Sequence, residues 1–445
     1  MNPVKWLLSL LPDSLRGCLK EWYNRNAIVY FWDRGRYREL LAQMLFHMYT
    51  SRRAYRKKWQ RLLEVRAKDK IKVVFQVWNI SKWRSDTLYR QMLEHPRFEP
   101  FIWVSDDPSV ITEKRAEARE KIISHFSEFK NRVLFSTDWE NLEKEIAPDL
   151  IFIQDHYMCD LNMSPVAYRH LLCYVKYCYM TTNMTKGVDY FLTHATLFFF
   201  QEHESVVRLI SKRFTEKEKR LAVVGSPTYD YFLGYDPNSP SVWKARPAKS
   251  KKIIWAPHWT VLENKELAYC GASVFVQVCD VMVAMAKKYE EQIQIAFKPH
   301  PSLYASLCAH PSWGKDKTEA YYALWQNMPN TQLEEGQYRE LFMQSDAMMH
   351  DCGSFIVEYL FADKPCMYLK GEHGFGNFNE MNEKALGCYT QGVTPEAIES
   401  FILSVIEGKA DAMAERRTEF LNTYVRPESG KSASQNIIDC ILGDV

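Results

Sequence analysis

A chain of 445 residues with 47% hydrophobic and 25% charged side chains has the make-up of a folded protein of two or three domains, which excludes a largely disordered or collagen-like chain. No stretch reaches the roughly 20 apolar residues that a spanning helix needs, and eleven cysteines without a Cys-x-x-Cys pair suit a reducing cytosol better than a disulfide framework or a zinc site. The net charge of +2 hides an asymmetry: residues 1–72 hold 17 Lys/Arg against 6 Asp/Glu, and the remainder holds 40 against 49.

In chain order, the first predicted element is helical. Residues 36–65, read at 100° per residue, put Leu40, Leu41, Met44, Leu45, Met48 and Tyr49 on one stripe. Arg52, Arg53, Arg56, Lys57, Lys58 and Arg61 follow, interleaved with Tyr55 and Trp59. A basic amphipathic helix of this kind suits an anionic bilayer surface. A helix pair packed on the protein body fits the same pattern. Nucleic acid is not expected as a partner, because no recognition motif accompanies the charge. Residues 1–70 are therefore read as a basic helical extension, with an anionic membrane surface as partner of residues 1–66.

From Ile71 the pattern changes. Strands are predicted at Ile71–Trp78, Phe98–Val104, Arg132–Phe135, Leu150–Ile153, Leu171–Tyr177, Tyr190–Thr193 and Leu221–Val224, with helices over Asp86–Glu94 and 111–130. Strands alternating with helices argue for a parallel sheet covered on both faces. A polar, proline-containing stretch, 236–252, reads as a linker. The alternation then restarts with strands at Ile253–Trp255, Gln292–Phe297, Ala347–His350 and Cys366–Leu369. Helices are expected at Val274–Tyr289, Tyr338–Gln344 and Phe355–Ala362. The expected fold is α/β, with two doubly wound Rossmann-type domains, 71–235 and 253–410, facing a cleft. Terminal helices would fill 411–445. Ligands of such sheets bind beyond the strand C-termini.

Three strand ends of the second domain carry chemistry. Trp255-Ala256-Pro257-His258 and Phe297-Lys298-Pro299-His300-Pro301 each set a histidine beside proline, which keeps the backbone out of helix and holds the imidazole at the sheet edge. Lys298 offers a mobile positive charge suited to phosphate. The third end, His350-Asp351-Cys352-Gly353-Ser354, runs into a helix that carries Glu358. Amide groups at a helix start can cradle an anion, Ser354 can cap the helix or bind phosphate, and Glu358 can reach a ribose hydroxyl. A plain strand-to-helix turn is the competing reading. Residues 371–376 are glycine-rich but open no clear helix, so they read as a loop over the donor rather than a dinucleotide fingerprint. No histidine cluster has zinc spacing, and no metal site is expected.

Together these segments resemble the C-terminal domain of the CDP-glycerol glycerophosphotransferase family, the teichoic-acid and capsule polymerases of GT-B fold. The likeness is carried by the aromatic-Ala-Pro strand end, Lys298-Pro299-His300-Pro301, the Asp351–Ser354 turn and Lys364-Pro365. It covers about 251–389, with Gly225–Asp230 similar to the segment that closes the family's first domain. The family's Trp-His-Gly element has no counterpart here: the comparable strand end reads Tyr174-Val175-Lys176-Tyr177-Cys178-Tyr179. Asp155 and His156, after the Leu150–Ile153 strand, are the replacement candidates, and His194 is more simply structural.

The resemblance implies a transferase that moves glycerol phosphate or a similar polyol phosphate from a CDP-linked donor to a hydroxyl of a lipid-linked or surface glycan, releasing CMP. No cofactor beyond the activated donor is implied. Catalytic candidates are His300, His258, His156 and Asp155. Lys298, Asp351, Gly353, Ser354 and Glu358 would hold the donor. The enzyme would sit in the cytoplasm, on the inner membrane face. Alternatives are a sugar-nucleotide glycosyltransferase or UDP-GlcNAc 2-epimerase-like enzyme, and an inactive GT-B scaffold that binds glycan or partner enzymes.

Overall fold

The computed structural model describes residues 52–106, 112–135, 139–154, 170–179, 197–201, 203, 221–246, 249–261, 273–336, 338–371, 378, 380–427 and 429–444. The apolar stripe at 40–49, the strand expected at Tyr190–Thr193, residues 372–377 and the candidates Asp155, His156 and His194 lie outside them.

The chain divides into two compact units, one comprising 1–177, 184–227 and 427–445, the other 178–183 and 228–426. Strands β1 (Ile71–Val77), β2 (Phe98–Val104), β3 (Val133–Phe135), β4 (Leu150–Ile153), β5 (Leu171–Tyr174), β6 (Phe198–Gln201) and β7 (Leu221–Val223) make up the first sheet. Its order is β3-β2-β1-β4-β5-β6-β7, and neighbours pair in parallel. A parallel sheet is covered on both faces, so its strands read as near-continuous apolar runs. All four residues of β4 and of β5 are buried.

Two helices remote in sequence complete this core. In the Arg52–Arg66 helix, Leu62 and Val65 turn inward, while Lys57 and Leu63 are exposed. The Ala433–Leu442 helix returns to the first unit and packs Ile437, Ile438 and Ile441 into the same cluster. Arg66 joins the pair, its guanidinium donating to the Ile441 carbonyl at 2.6 Å and the Cys440 carbonyl at 2.7 Å. A cation there also complements the negative end of the helix dipole.

The second sheet contains β8 (Lys251–Ala256), β9 (Ile293–Phe297), β10 (Thr331–Leu333), β11 (Ala347–His350), β12 (Cys366–Tyr368) and β13 (Thr390–Gln391). Its order is β10-β9-β8-β11-β12-β13, again parallel. The core is aromatic: Trp255 stacks on Phe275 at 5.6 Å between ring centroids and lies 5.2 Å from Trp325. The polar segment before β8 is laid onto this unit. Trp243 is buried, the Val242 amide donates to Gln344 at 2.9 Å, and the Lys244 amide donates to Gln332 at 2.8 Å.

Counted from its own first strand, the first sheet therefore runs 3-2-1-4-5-6-7 and the second 3-2-1-4-5-6. In each, the strand order reverses between strands 1 and 4, and a crevice opens there beyond the strand C-termini. The two reversal points are β1/β4 and β8/β11.

Candidate functional site

At the β8/β11 reversal point, Asp351 leaves β11 and turns inward. One carboxylate oxygen accepts the His258 amide at 2.6 Å. The other accepts the Ser273 hydroxyl at 2.7 Å and the Val274 amide at 2.8 Å. Burial pushes its carboxyl up to about 6, against the pull of these donors. Asp351, expected on the donor, thus spends its oxygens on protein groups and ties the ends of β8 and β11 to the start of the Phe275–Lys288 helix. Ser273 and Val274 carried no motif that could have marked them.

The two histidines of the His–Pro junctions do converge. Their ring centroids are 5.0 Å apart, at 65°. The backbone explains the pairing: the Lys298 amide donates to the Trp255 carbonyl at 2.8 Å and the His300 amide to the Pro257 carbonyl at 3.0 Å, extending the β8–β9 ladder past the strand ends. The Ser302 amide donates to His300 Nδ1 at 3.1 Å, so neutral His300 carries its proton on Nε2. His258 Nδ1 lies 3.0 Å from the Thr260 hydroxyl. Burial first, and His300 second, hold its proton affinity well below the ordinary value.

Lys298 is not the mobile charge expected from sequence. It is 6% exposed, its ammonium donates to the Gly336 carbonyl at 2.8 Å, and it lies 5.5 Å from the centre of the Tyr338 ring. Burial and the Gly336 bond hold the ammonium in place. Tyr338 in turn donates its hydroxyl to Glu358, whose side chain is fully buried. Glu358 faces Tyr338 rather than solvent, so contact with a ribose would need a side-chain movement.

Gly353 and Ser354 make the turn from β11 into the four-residue Phe355–Glu358 helix, which tightens into a 3₁₀ turn at Tyr359–Ala362. The Phe355 and Ile356 amides donate to the Cys352 and Gly353 carbonyls, which takes two helix-start donors out of play. The Ser354 hydroxyl is half-buried, 3.3 Å from the Cys352 sulfur, and does not cap the helix. Behind the turn, His350 is enclosed by Phe355, Tyr368 and Tyr389. Its Nδ1 lies 3.1 Å from the Cys352 carbonyl, and burial lowers its pKa to about 3.

These strand ends fall within a segment, residues 179–443, that matches the model of the CDP-Glycerol:Poly(glycerophosphate) glycerophosphotransferase family. The chain belongs to that family. It is a glycerophosphotransferase, and the resemblance carried by the His–Pro junctions and the Asp351 turn is borne out. No protein of curated function matches the chain. Among solved structures, this glycerophosphotransferase is similar to the wall teichoic acid polymerase TagF, with 14% identity, a TM-score of 0.53, and 92% of this chain and 98% of that one covered. It is also similar to MnaA of S. aureus with UDP (13%, TM-score 0.55, 84% and 96% covered) and to UDP-GlcNAc 2-epimerase of Neisseria meningitidis bound to UDP-GlcNAc (13%, TM-score 0.53, 84% and 100% covered). At such identities the likeness is one of fold, and it establishes the GT-B-like architecture.

Proposed function

We propose that this glycerophosphotransferase moves glycerol phosphate from CDP-glycerol to the terminal hydroxyl of a teichoic-acid-type polymer or related surface glycan and releases CMP. The observation that carries the reading is the family match over residues 179–443, which contain the paired histidines and the Asp351–Ser354 turn. In the reaction, the acceptor oxygen bonds to the donor β-phosphorus. The bond from that phosphorus to the CMP oxygen breaks, and the hydroxyl proton passes to a base. Such a step needs positioning and charge stabilisation more than covalent help.

His300, with Nε2–H as donor, is assigned to the charge that grows on the departing phosphate. His258 is assigned as base: when Nδ1 donates to Thr260, Nε2 keeps its lone pair, and its lowered proton affinity keeps it neutral. Asp155 and His156 remain the candidates from the first unit. Ser354 and the Gly353 turn are assigned to the diphosphate, with Lys298 adding positive charge from behind Tyr338. Glu358 is assigned to the nucleoside, acting with Tyr338. Asp351 is a positioning residue.

Among the described residues no helix is long and apolar enough to cross a membrane. The basic N-terminal segment, with Leu63 and Lys57 exposed on its helix, supports a place on the cytoplasmic membrane face beside a lipid-linked acceptor. Sedimentation with anionic vesicles at low and high salt checks that placement, since salt screens exposed charge. A screen of CDP-glycerol, CDP-ribitol, UDP-GlcNAc and UDP-glucose, read as nucleotide released, checks the reaction. CMP from CDP-glycerol is expected. UDP or UMP alone would overturn the reading.

A further inference from the structure

His350, the last residue of β11, is a buried histidine that the proposed reaction leaves unused. Its side chain is wholly enclosed, with the rings of Phe355, Tyr368 and Tyr389 at 6.4, 5.5 and 5.6 Å between centroids. Nδ1 lies 3.1 Å from the Cys352 carbonyl oxygen. A carbonyl only accepts, so Nδ1 carries the proton and Nε2 the lone pair. Nε2 is buried and has no hydrogen-bond partner among the described residues.

A phenylalanine in this place would fill the aromatic cage without that unmatched nitrogen, whose burial costs free energy. Nor would it orphan the Cys352 carbonyl, which also accepts the Phe355 amide at 3.3 Å. Packing alone therefore favours phenylalanine, and what the histidine adds is the bond from Nδ1. That bond fixes a peptide plane. The Cys352–Gly353 peptide is planar and trans, so its N–H points opposite to its C=O. With the carbonyl drawn toward His350, the Gly353 amide is aimed away from the cage. Gly353 has no Cβ to keep an anion from approaching that amide. The far end of the turn is held separately, by the Tyr389 hydroxyl donating to the Ile356 carbonyl at 2.5 Å.

We propose that His350 is a positioning residue for the donor: by holding the Cys352 carbonyl it aims the Gly353 amide at the diphosphate. The inference rests on the glycerophosphotransferase reading, which puts the diphosphate at the Gly353–Ser354 turn, and adds the buried side chain that orients that turn. An amide bonded to a phosphate oxygen makes a charge-assisted hydrogen bond, and such a bond weakens steeply when its angle is lost.

The test is calorimetry on the full chain with CMP and with CDP-glycerol, in the absence of acceptor, for the wild type, His350→Phe and His350→Asn. Thermal midpoints are measured beside it at about pH 7.5, where histidine is mostly neutral in the folded and the unfolded chain. His350→Phe keeps the packing and lacks the donor. It should melt at or above the wild-type midpoint and bind both ligands about tenfold to a hundredfold more weakly, the scale of one hydrogen bond to a charged group. His350→Asn puts an amide N–H near the place of Nδ1 and leaves the cage underfilled. It should melt below the wild type and still bind both ligands close to wild-type strength. Stability and affinity then move in opposite directions, which a purely structural histidine does not produce. Wild-type affinity in His350→Phe, or a loss there that His350→Asn does not restore, overturns the positioning role. If the wild type bound neither CMP nor CDP-glycerol, the glycerophosphotransferase reading would fall and the inference with it, so the two failures are distinguishable.

Discussion

The two sheets share a strand order and differ in what they hold at the point where that order reverses. At β8/β11 the crevice is tied shut from behind by Asp351, with three donors from two other segments. At β1/β4 the Arg84 amide bonds Gln154, and the buried Gln76 side-chain oxygen and Trp83 indole nitrogen have no hydrogen-bond partner among the described residues. One reversal point is a braced platform for two histidines, and the other is joined through the Gln154 side chain. The difference teaches that one strand order can be braced to different degrees by the residues just past the strand ends.

The brace supplies the largest expected effect. Asp351→Ala strands three donors in a buried place and should cost the second unit about 3 kcal/mol or more, read as a lowered unfolding midpoint. Gln154→Ala should cost the first unit only about 1 kcal/mol. Similar losses from both would erase the contrast. Next is Ser354→Ala, which should weaken CMP and CDP-glycerol alike by about tenfold to a hundredfold. An unchanged affinity would remove Ser354 from the diphosphate.

A pH experiment sharpens the same comparison. Burial lowers His350 to about 3 from an ordinary 6.5. The unfolded chain therefore binds the extra proton first, and the wild type loses stability as pH falls from 6.5 towards 3. Asp351 works the other way, since its raised carboxyl, near 6, favours the folded protein as pH falls through that value towards 4. His350→Phe keeps Asp351, so the difference between the proteins isolates the histidine. The variant should gain about 1.4 kcal/mol relative to wild type for each pH unit below 6.5. A constant difference would mean that His350 is not buried as a neutral base. The effect should be confined to the second unit.

Much of this was legible in the sequence. Apolar runs marked β4 and β11 to the residue, and the alternation gave the doubly wound class. The prolines at 257, 299 and 301 announced two strand ends, and the histidines there do meet. Other features carried no local signal. β10 and β13 have only three and two residues, too few for a period to register. The Ala433–Leu442 helix shows an apolar face but nothing that says which unit it covers. The inward turn of Asp351 depends on donors some 77 to 93 residues away. Lys298 reads as a free charge until the Gly336 carbonyl is seen beside it. Gln76 and Gln154 look like ordinary strand-end amides, and only the β1/β4 pairing brings them together.

The central claim is that the paired histidines beyond β8 and β9 carry the transfer, and steady-state kinetics on His300→Ala tests it most directly. With CDP-glycerol as donor and a poly(glycerol phosphate) primer as acceptor, His300→Ala should lower kcat by more than about a hundredfold, the scale of one charge-stabilising group, and leave the acceptor KM near its wild-type value. If His300→Ala turned over at a near-normal rate, the account would be wrong.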